Sequence, residues 1–130
     1  MATYWKNGKA VYLSDKTKTN YATSIVVANG DVYVSGYERQ VETGKDAAKY
    51  WKNGKEVCLT DGTFYSRANA VFVLNNDVYV AGEINPETDV LKLATTETGM
   101  NKIAVYWKNG TMIRLTDKEN DASAASIFVK

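Results

Sequence analysis

Three copies of the pentapeptide Tyr-Trp-Lys-Asn-Gly constrain the fold of this 130-residue chain more than any other feature. They begin at Tyr4, Tyr50 and Tyr106, so the first interval is 46 residues and the second is 56. Other positions recur with them, since Asp-Val-Tyr-Val occurs at Asp31–Val34 and again at Asp77–Val80. Recurrence at this spacing is typical of proteins in which every repeat contributes one supersecondary unit. The sequence therefore predicts architecture more directly than activity.

We predict one repeat domain over residues 1–130, with repeat frames at about 4–49, 50–105 and 106–130. Each frame contains four short strands. The first is apolar on both faces, as expected of a strand packed between two layers. The second begins with Asp-Val and is closed by Gly36 or Gly82, and the third ends in Tyr-Trp-Lys. The predicted first strands are Ser24–Ala28 and Ala70–Leu74, and the second strands are Asp31–Ser35 and Asp77–Ala81. The predicted fourth strands are Ala10–Leu13, Glu56–Leu59 and Met112–Leu115.

Two-residue turns rich in Asn and Gly join these strands. They stand at Asn29-Gly30, Asn53-Gly54, Asn75-Asn76 and Asn109-Gly110. Asn and Gly tolerate the positive φ angles that a type I′ hairpin requires. Two tight hairpins per unit indicate a four-stranded antiparallel sheet, and tandem sheets of this size are typical of β-propeller blades.

The segment Ser24–Tyr37 resembles the inner hairpin of NHL-like and bacterial SBBP-type propeller repeats, and Ala70–Gly82 is similar to it. The Tyr-Trp-Lys-Asn-Gly half is similar to repeats of uncharacterised bacterial propellers. The resemblance implies an all-β propeller of four-stranded antiparallel blades. It also implies that the strands of Ile25 and Val71 line a central channel, with those of Leu13, Leu59 and Leu115 at the rim.

The chain is too short to close a propeller, which typically needs four to eight blades. With a third inner strand at Ser126–Val129, it contains eleven predicted strands, or about 2.75 blades. Two explanations stay open. Copies assemble into a ring, with a homodimer of about six blades favoured, or the chain is a piece of a longer repeat array. Unpaired strand edges promote association in both cases.

Charge and composition exclude several function classes. The net charge is +1, which provides no electrostatic footprint for nucleic acid or an anionic membrane. No apolar run reaches the roughly 18 residues of a membrane span. The chain has no histidine, which excludes Ser-His-Asp and Cys-His sites and most zinc sites. We expect no cofactor and no metal, and the sequence does not indicate a cellular compartment.

The paired aromatic residues of the pentapeptide permit two interpretations. Their side chains point to opposite faces of a strand, so both rings can fill the space between blades. Alternatively, each pair presents an aromatic platform that stacks on sugar rings. The candidate ligand-binding residues are Tyr4, Trp5, Tyr50, Trp51, Tyr106 and Trp107.

Three further features favour structural roles. Asp15, Asp61 and Asp117 each follow Ser or Thr at a strand end, where a carboxylate accepts backbone hydrogen bonds. Cys58 stands where the other units have Tyr or Arg, so we expect it to be part-exposed and not a nucleophile. The connection between Ile84 and Ile103 contains the ten additional residues of the second interval, and it is either an interaction loop or a tolerated insertion.

The sequence thus predicts a non-enzymatic binding or scaffold module that self-assembles into a closed ring, with a glycan or protein as its possible ligand. One alternative is a purely structural or engineered propeller fragment. A second is lectin-like carbohydrate binding or a carbohydrate-active enzyme, since carboxylates alone can hydrolyse glycosides.

Overall fold

The computed structural model describes residues 2–14, 17–86, 102–116 and 122–128. Within these ranges the chain forms ten strands and no helix. The strands are β1 (Thr3–Lys6), β2 (Lys9–Tyr12), β3 (Asn20–Ala28), β4 (Asp31–Arg39), β5 (Asp46–Lys52), β6 (Lys55–Cys58), β7 (Tyr65–Leu74), β8 (Asp77–Asn85), β9 (Ile103–Lys108) and β10 (Thr111–Arg114).

All strands pair antiparallel with their neighbours in sequence, in three sheets. Strands β1 and β2 form a two-stranded sheet, which we call the N-terminal hairpin. Strands β3 to β6 form the first sheet, and β7 to β10 form the second sheet. The all-β prediction and the two four-stranded antiparallel sheets are therefore confirmed.

Positive φ angles set the tight turns. At Asn53-Gly54 the two φ angles are 50° and 84°, and at Asn109-Gly110 they are 50° and 85°. Asn29-Gly30 and Asn75-Asn76 also have both angles positive. Two consecutive residues with positive φ are the requirement of a type I′ turn, whose twist matches that of the strands it joins. The predicted turn chemistry is confirmed.

The second strands run past the glycines that were predicted to close them. Gly36 and Gly82 lie inside β4 and β8, opposite a bulge in β3 and β7. A Cβ atom at Gly36 would collide with the carbonyl oxygen of Tyr21 and press on the Trp51 ring. Glycine is therefore required here by close packing, not by the end of a strand.

The sheets pack face to face in chain order. Because side chains alternate along a strand, each sheet has a Trp face, which carries Trp51 or Trp107, and an opposite Tyr face. The Tyr face of the first sheet, with Tyr33 and Ala48, packs on Trp107 and its apolar neighbours on the second sheet. The N-terminal hairpin packs through Tyr4 on Trp51 in the corresponding way.

The segment 122–128 lies against the second sheet. Asn69 Nδ2 donates a hydrogen bond to the Ala124 carbonyl oxygen (3.0 Å), and the rings of Phe72 and Phe128 are 4.9 Å apart. Thr23 Oγ1 makes the corresponding bond to the Ala68 carbonyl oxygen one sheet earlier (2.7 Å). The strand predicted at Ser126–Val129 is not formed within this segment, because no described strand pairs with it; Val129 lies outside the described residues.

The prediction that the first strand of each unit is buried on both faces is wrong for β3. Ile25 and Val27 are 50% and 69% exposed, whereas Val71, which corresponds to Ile25, is 3% exposed. The physical reason lies in the stacking. The Tyr face of the first sheet covers Val71, but the N-terminal hairpin has only two strands and covers part of the first sheet's Trp face.

Substitution of Trp107 tests this packing. Its side chain is fully buried, and its indole N–H has no hydrogen-bond acceptor in the described part of the chain. We expect Trp107→Ala to lower the free energy of unfolding by about 3–5 kcal/mol, because it leaves a large cavity. Trp107→Phe should cost clearly less, since it leaves a smaller cavity and removes the unpaired N–H.

Urea unfolding followed by circular dichroism measures both values. Trp5→Ala is the matched control, because the Trp5 side chain is exposed and its loss should change stability by less than about 0.5 kcal/mol. Equal losses for Trp5→Ala and Trp107→Ala would contradict the packing described here.

Candidate functional site

The structure does not bring the six predicted ligand-binding aromatic residues together. They lie in pairs on β1, β5 and β9, which belong to three different sheets. Trp51 and Trp107 are 0% exposed, and a ring stacked on a sugar at either position would require the sheets to separate. Tyr4, Tyr50 and Tyr106 are half-buried, and Trp5 is 69% exposed. Ligand binding by these residues stays a prediction.

The asparagine of the pentapeptide joins the third strand to the second. The Val32 N–H donates to Asn53 Oδ1 (2.9 Å), and Asn53 Nδ2 donates to Asp31 Oδ1 (2.9 Å). The Asn53 backbone N–H donates to the Val32 carbonyl oxygen (2.8 Å). Asn109 makes the same three bonds to Val78 and Asp77, at 2.8 to 2.9 Å. We call this set of bonds the Asn clamp.

The Asn clamp explains why Asn-Gly and Asp-Val recur together. Asparagine supplies both the positive φ of the turn and an amide that can donate and accept at the same time. Asn7 has the same turn conformation, with φ of 52°, but no Asp-Val segment lies beside it among the described residues.

A substitution at Asn53 can distinguish the contribution of the side-chain amide from that of the positive φ angle. Asn53→Gly keeps the positive φ and removes two side-chain hydrogen bonds, so we expect a loss of about 1–3 kcal/mol in the free energy of unfolding. Asn7→Gly is the control and should change stability by less than about 0.5 kcal/mol. Chemical denaturation gives both numbers, and an equal effect at the two positions would count against the clamp.

A cluster of tyrosine and arginine side chains lies at one end of the two four-stranded sheets. The rings of Tyr21 and Tyr37 are stacked at 4.9 Å. The Arg67 guanidinium lies 4.5 Å from the Tyr37 ring centroid and 5.0 Å from that of Tyr65. Arg67 belongs to the second sheet and Tyr37 to the first, so the cluster links the sheets through cation–π contacts.

Asp46 binds the arginine side chains of this cluster. Its carboxylate is fully buried and accepts hydrogen bonds from Arg39 Nε (2.8 Å) and Arg67 Nε (2.8 Å), with Arg67 Nη2 at 2.7 Å. The hydrogen bond to Asp46 raises the pKa of Arg39. Burial acts to lower the pKa of Arg67, but the bonds to Asp46 outweigh burial and the net shift is upward. Both guanidinium groups therefore stay charged and fixed.

Repetition gave no indication of this cluster. In the second sheet Lys102 occupies the position of Asp46, and its Nζ atom is 3.2 Å from Glu83 Oε2. A search for recurring residues misses a charge that changes sign between units. The sequence indication is that the position four residues before the Tyr of the pentapeptide is acidic in one unit (Asp46) and basic in the next (Lys102).

A second charged group lies on the Trp face of the first sheet. The buried Lys49 Nζ is 3.1 Å from Glu38 Oε2 and 3.0 Å from Glu56 Oε2. Burial acts to lower the pKa of Lys49, but its hydrogen bonds with Glu56 and Glu38 raise it overall. The bond to Lys49 in turn lowers the pKa of Glu56. Its partners thus favour the protonated form of Lys49.

The remaining candidates are placed as follows. Asp61 accepts hydrogen bonds from the hydroxyl (2.7 Å) and backbone N–H (3.0 Å) of Thr63, as predicted, and these bonds lower its pKa. Asp15 and Asp117 lie outside the described residues, as do 87–101 of the long connection. Cys58 is exposed on β6. Within the described ranges, no group of three acidic, Cys or His side chains could hold a metal ion.

No family model matches this chain, and no match was found among curated proteins or solved structures. No helix in the part of the chain that the structure describes is long and apolar enough to cross a membrane. The function is therefore inferred from the geometry alone.

The tyrosine and arginine cluster makes a prediction about alkaline stability. Burial raises the pKa of Tyr65 to about 12, whereas a tyrosine in an unfolded chain titrates near 10. Between these values the unfolded chain binds fewer protons than the folded chain, so the free energy of unfolding falls as pH rises. This contribution is complete below pH of about 10 and is lost as pH passes about 12.

Thermal unfolding at a series of alkaline pH values measures the effect. We expect Tyr65→Phe to flatten the decline in Tm between pH of about 10 and 12. Tyr12→Phe is the control, because the Tyr12 ring is exposed on β2, and its decline should match that of the parent chain. A Tyr65→Phe curve parallel to the parent would show that Tyr65 is not protected in this way.

Proposed function

We propose that this chain is a β-propeller segment that acts as a non-enzymatic binding or scaffold module, and that its copies associate to close a ring, with a homodimer favoured. One observation carries the proposal: the sheets stack in chain order, always with the Tyr face of one on the Trp face of the next. Blades of a propeller follow one another in the same way around an axis.

The two ends of the stack support self-association. At one end Ile25 and Val27 expose apolar surface on the Trp face of the first sheet. At the other end the Phe128 side chain is 71% exposed. Exposed apolar strands with unpaired edges are sites of chain association. A second copy that continues the same face-to-face order would cover both ends.

The charged groups support a non-enzymatic role. The buried Asp46 and Lys49 each form ion pairs with two oppositely charged side chains of the chain. A catalytic acid or base needs a proton that it can release or accept near the working pH. Groups held in fixed ion pairs stabilise the module instead.

Light scattering combined with size exclusion tests the assembly. We expect the parent chain to have at least twice the monomer mass of 14.4 kDa, with the fraction of oligomer rising with concentration. Val27→Lys should shift the mass toward the monomer, because a charge on this apolar surface cannot be buried against a partner.

Val41→Lys is the matched control, since Val41 is equally apolar and 92% exposed in a turn away from the sheet faces. It should leave the mass unchanged. A compact monomer for the parent chain at all concentrations would overturn the proposal of self-assembly.

A further inference from the structure

Three Asn-Gly turns lie within the two four-stranded sheets and have nearly the same backbone conformation. Asn29-Gly30 joins β3 to β4, Asn53-Gly54 joins β5 to β6 and Asn109-Gly110 joins β9 to β10. The asparagine φ angles are 52°, 50° and 50°, and the glycine φ angles are 82°, 84° and 85°. All three asparagine residues are exposed to solvent. Backbone conformation and exposure therefore do not distinguish these turns.

The hydrogen bonds of the side-chain amide do distinguish them. In the Asn clamp, Asn53 and Asn109 each use both amide atoms, since Nδ2 donates to an Asp carboxylate and Oδ1 accepts a backbone N–H, at 2.8 to 2.9 Å. The Asn29 amide makes one longer bond among the described residues, from Nδ2 to Asn76 Oδ1 (3.3 Å), and this pair is exposed. Asn29 thus has the same turn conformation without the clamp.

An asparagine followed by glycine is chemically reactive. The backbone nitrogen of the glycine can attack Cγ of the asparagine side chain, because glycine has no Cβ atom to hinder the approach. A bond forms between Cγ and this nitrogen, the bond between Cγ and Nδ2 breaks, and the proton of the attacking nitrogen leaves with the amide as ammonia. Water then opens the cyclic imide at either carbonyl and gives aspartate or isoaspartate. Water is the only co-reactant that the balance requires.

The turn conformation controls access to this reaction. Closure of the five-membered ring requires the peptide bond after asparagine to rotate out of the type I′ geometry, so the reaction proceeds from a locally opened turn. The attacking nitrogens themselves need no release, because Gly30, Gly54 and Gly110 donate no backbone hydrogen bond within the part of the chain that the structure describes. The rate at each site therefore depends on what holds the asparagine side chain in the turn.

We propose that Asn29 is a site of spontaneous deamidation through a cyclic imide with Gly30, and that the Asn clamp protects Asn53 and Asn109 from the same reaction. Opening of the turn at Asn53 or Asn109 breaks two short side-chain hydrogen bonds, whereas opening at Asn29 breaks one long bond. The inference does not depend on self-assembly, since it uses only contacts within the two four-stranded sheets.

The clamp also disfavours the product of the reaction. An aspartate at position 53 would place a carboxylate where the amide nitrogen now donates to Asp31 Oδ1, and two carboxylates at this distance of 2.9 Å repel each other. Asn29 instead faces the amide of Asn76. That amide can rotate and donate its N–H to a new carboxylate, so the product is accommodated at position 29.

Deamidation at position 29 would alter the edge of the first sheet. Isoaspartate adds a methylene group to the backbone, so the turn no longer has the type I′ geometry that aligns Ala28 with Asp31. Aspartate keeps the backbone but adds a negative charge two residues after Val27, whose side chain is exposed. Both products therefore change the strand that carries the exposed apolar surface.

Peptide mapping of the full chain tests the proposal. The chain is incubated at mildly alkaline pH both folded and unfolded in urea, and electron-transfer fragmentation measures aspartate and isoaspartate at each site. The unfolded chain corrects for the different residues that flank the three sites. Incubation in water enriched in heavy oxygen should introduce one labelled oxygen into each product, which identifies deamidation that occurs during the experiment.

We expect the three sites to react at similar rates in urea. In the folded chain, Asn29 should react at least about fivefold faster than Asn53 and Asn109, because the clamp adds the free energy of at least one hydrogen bond to the opening of the turn. Equal rates at the three sites in the folded chain, after correction by the rates in urea, would overturn the proposal. An unmodified Asn29 in a folded chain whose three sites all react in urea would also overturn it.

The variant Asp77→Ala tests protection by the clamp. It removes the acceptor of Asn109 Nδ2 and leaves the Asn109-Gly110 sequence intact. We expect deamidation at Asn109 to become about fivefold faster. Asn53 is the matched control within the same molecule, because its clamp uses Asp31, and its rate should equal that of the parent chain. An unchanged rate at Asn109, or an equal rise at Asn53, would overturn protection by the clamp.

Discussion

The Asn clamp is the interaction on which the rest of the structure depends. Asn53 and Asn109 turn the chain with a positive φ and, with the same residue, bind the Asp-Val that starts the neighbouring strand. A turn alone would fix the pairing of the third and fourth strands. The side-chain amide also fixes the second strand against the third, so one residue sets the register of three strands. That register places Trp51 or Trp107 beside Gly36 or Gly82, where a larger residue would collide.

Once the register is set, the alternation of side chains decides how the sheets stack. A one-residue shift would move Trp107 from its buried face to the opposite one. The Trp face of the second sheet instead meets Tyr33 and Ala48 of the first, which gives a continuous apolar core between them. The same order at the N-terminal hairpin, with only two strands, leaves Ile25 and Val27 exposed. The uncovered surface therefore follows from the stacking rule that produces the core.

Much of this was predictable from the sequence. Recurring Asn-Gly turns and alternating apolar strands predicted the hairpins, the antiparallel pairing and the four strands per sheet. Strand ends were predicted less well, because Gly36 and Gly82 look like terminators but serve close packing against Trp rings. The exposure of β3 was also missed, since its apolar sequence is the same whether or not a neighbouring layer is present.

Recurrence was a poor guide to the polar sites. Asp46 is matched by Lys102 in the next unit, and Glu38 and Lys49 are matched by Ile84 and Val105. These positions vary because a buried charge needs only a partner of opposite charge, and a unit without a buried charge needs no partner at all. The Asn clamp and the Trp packing, in contrast, each need one residue type. Residues that recur in a repeat protein report what every interface must satisfy. Contacts that distinguish one interface from the next come from residues that do not recur, such as Tyr21 and Tyr37 of the first sheet and Arg67 of the second, which cluster above Asp46.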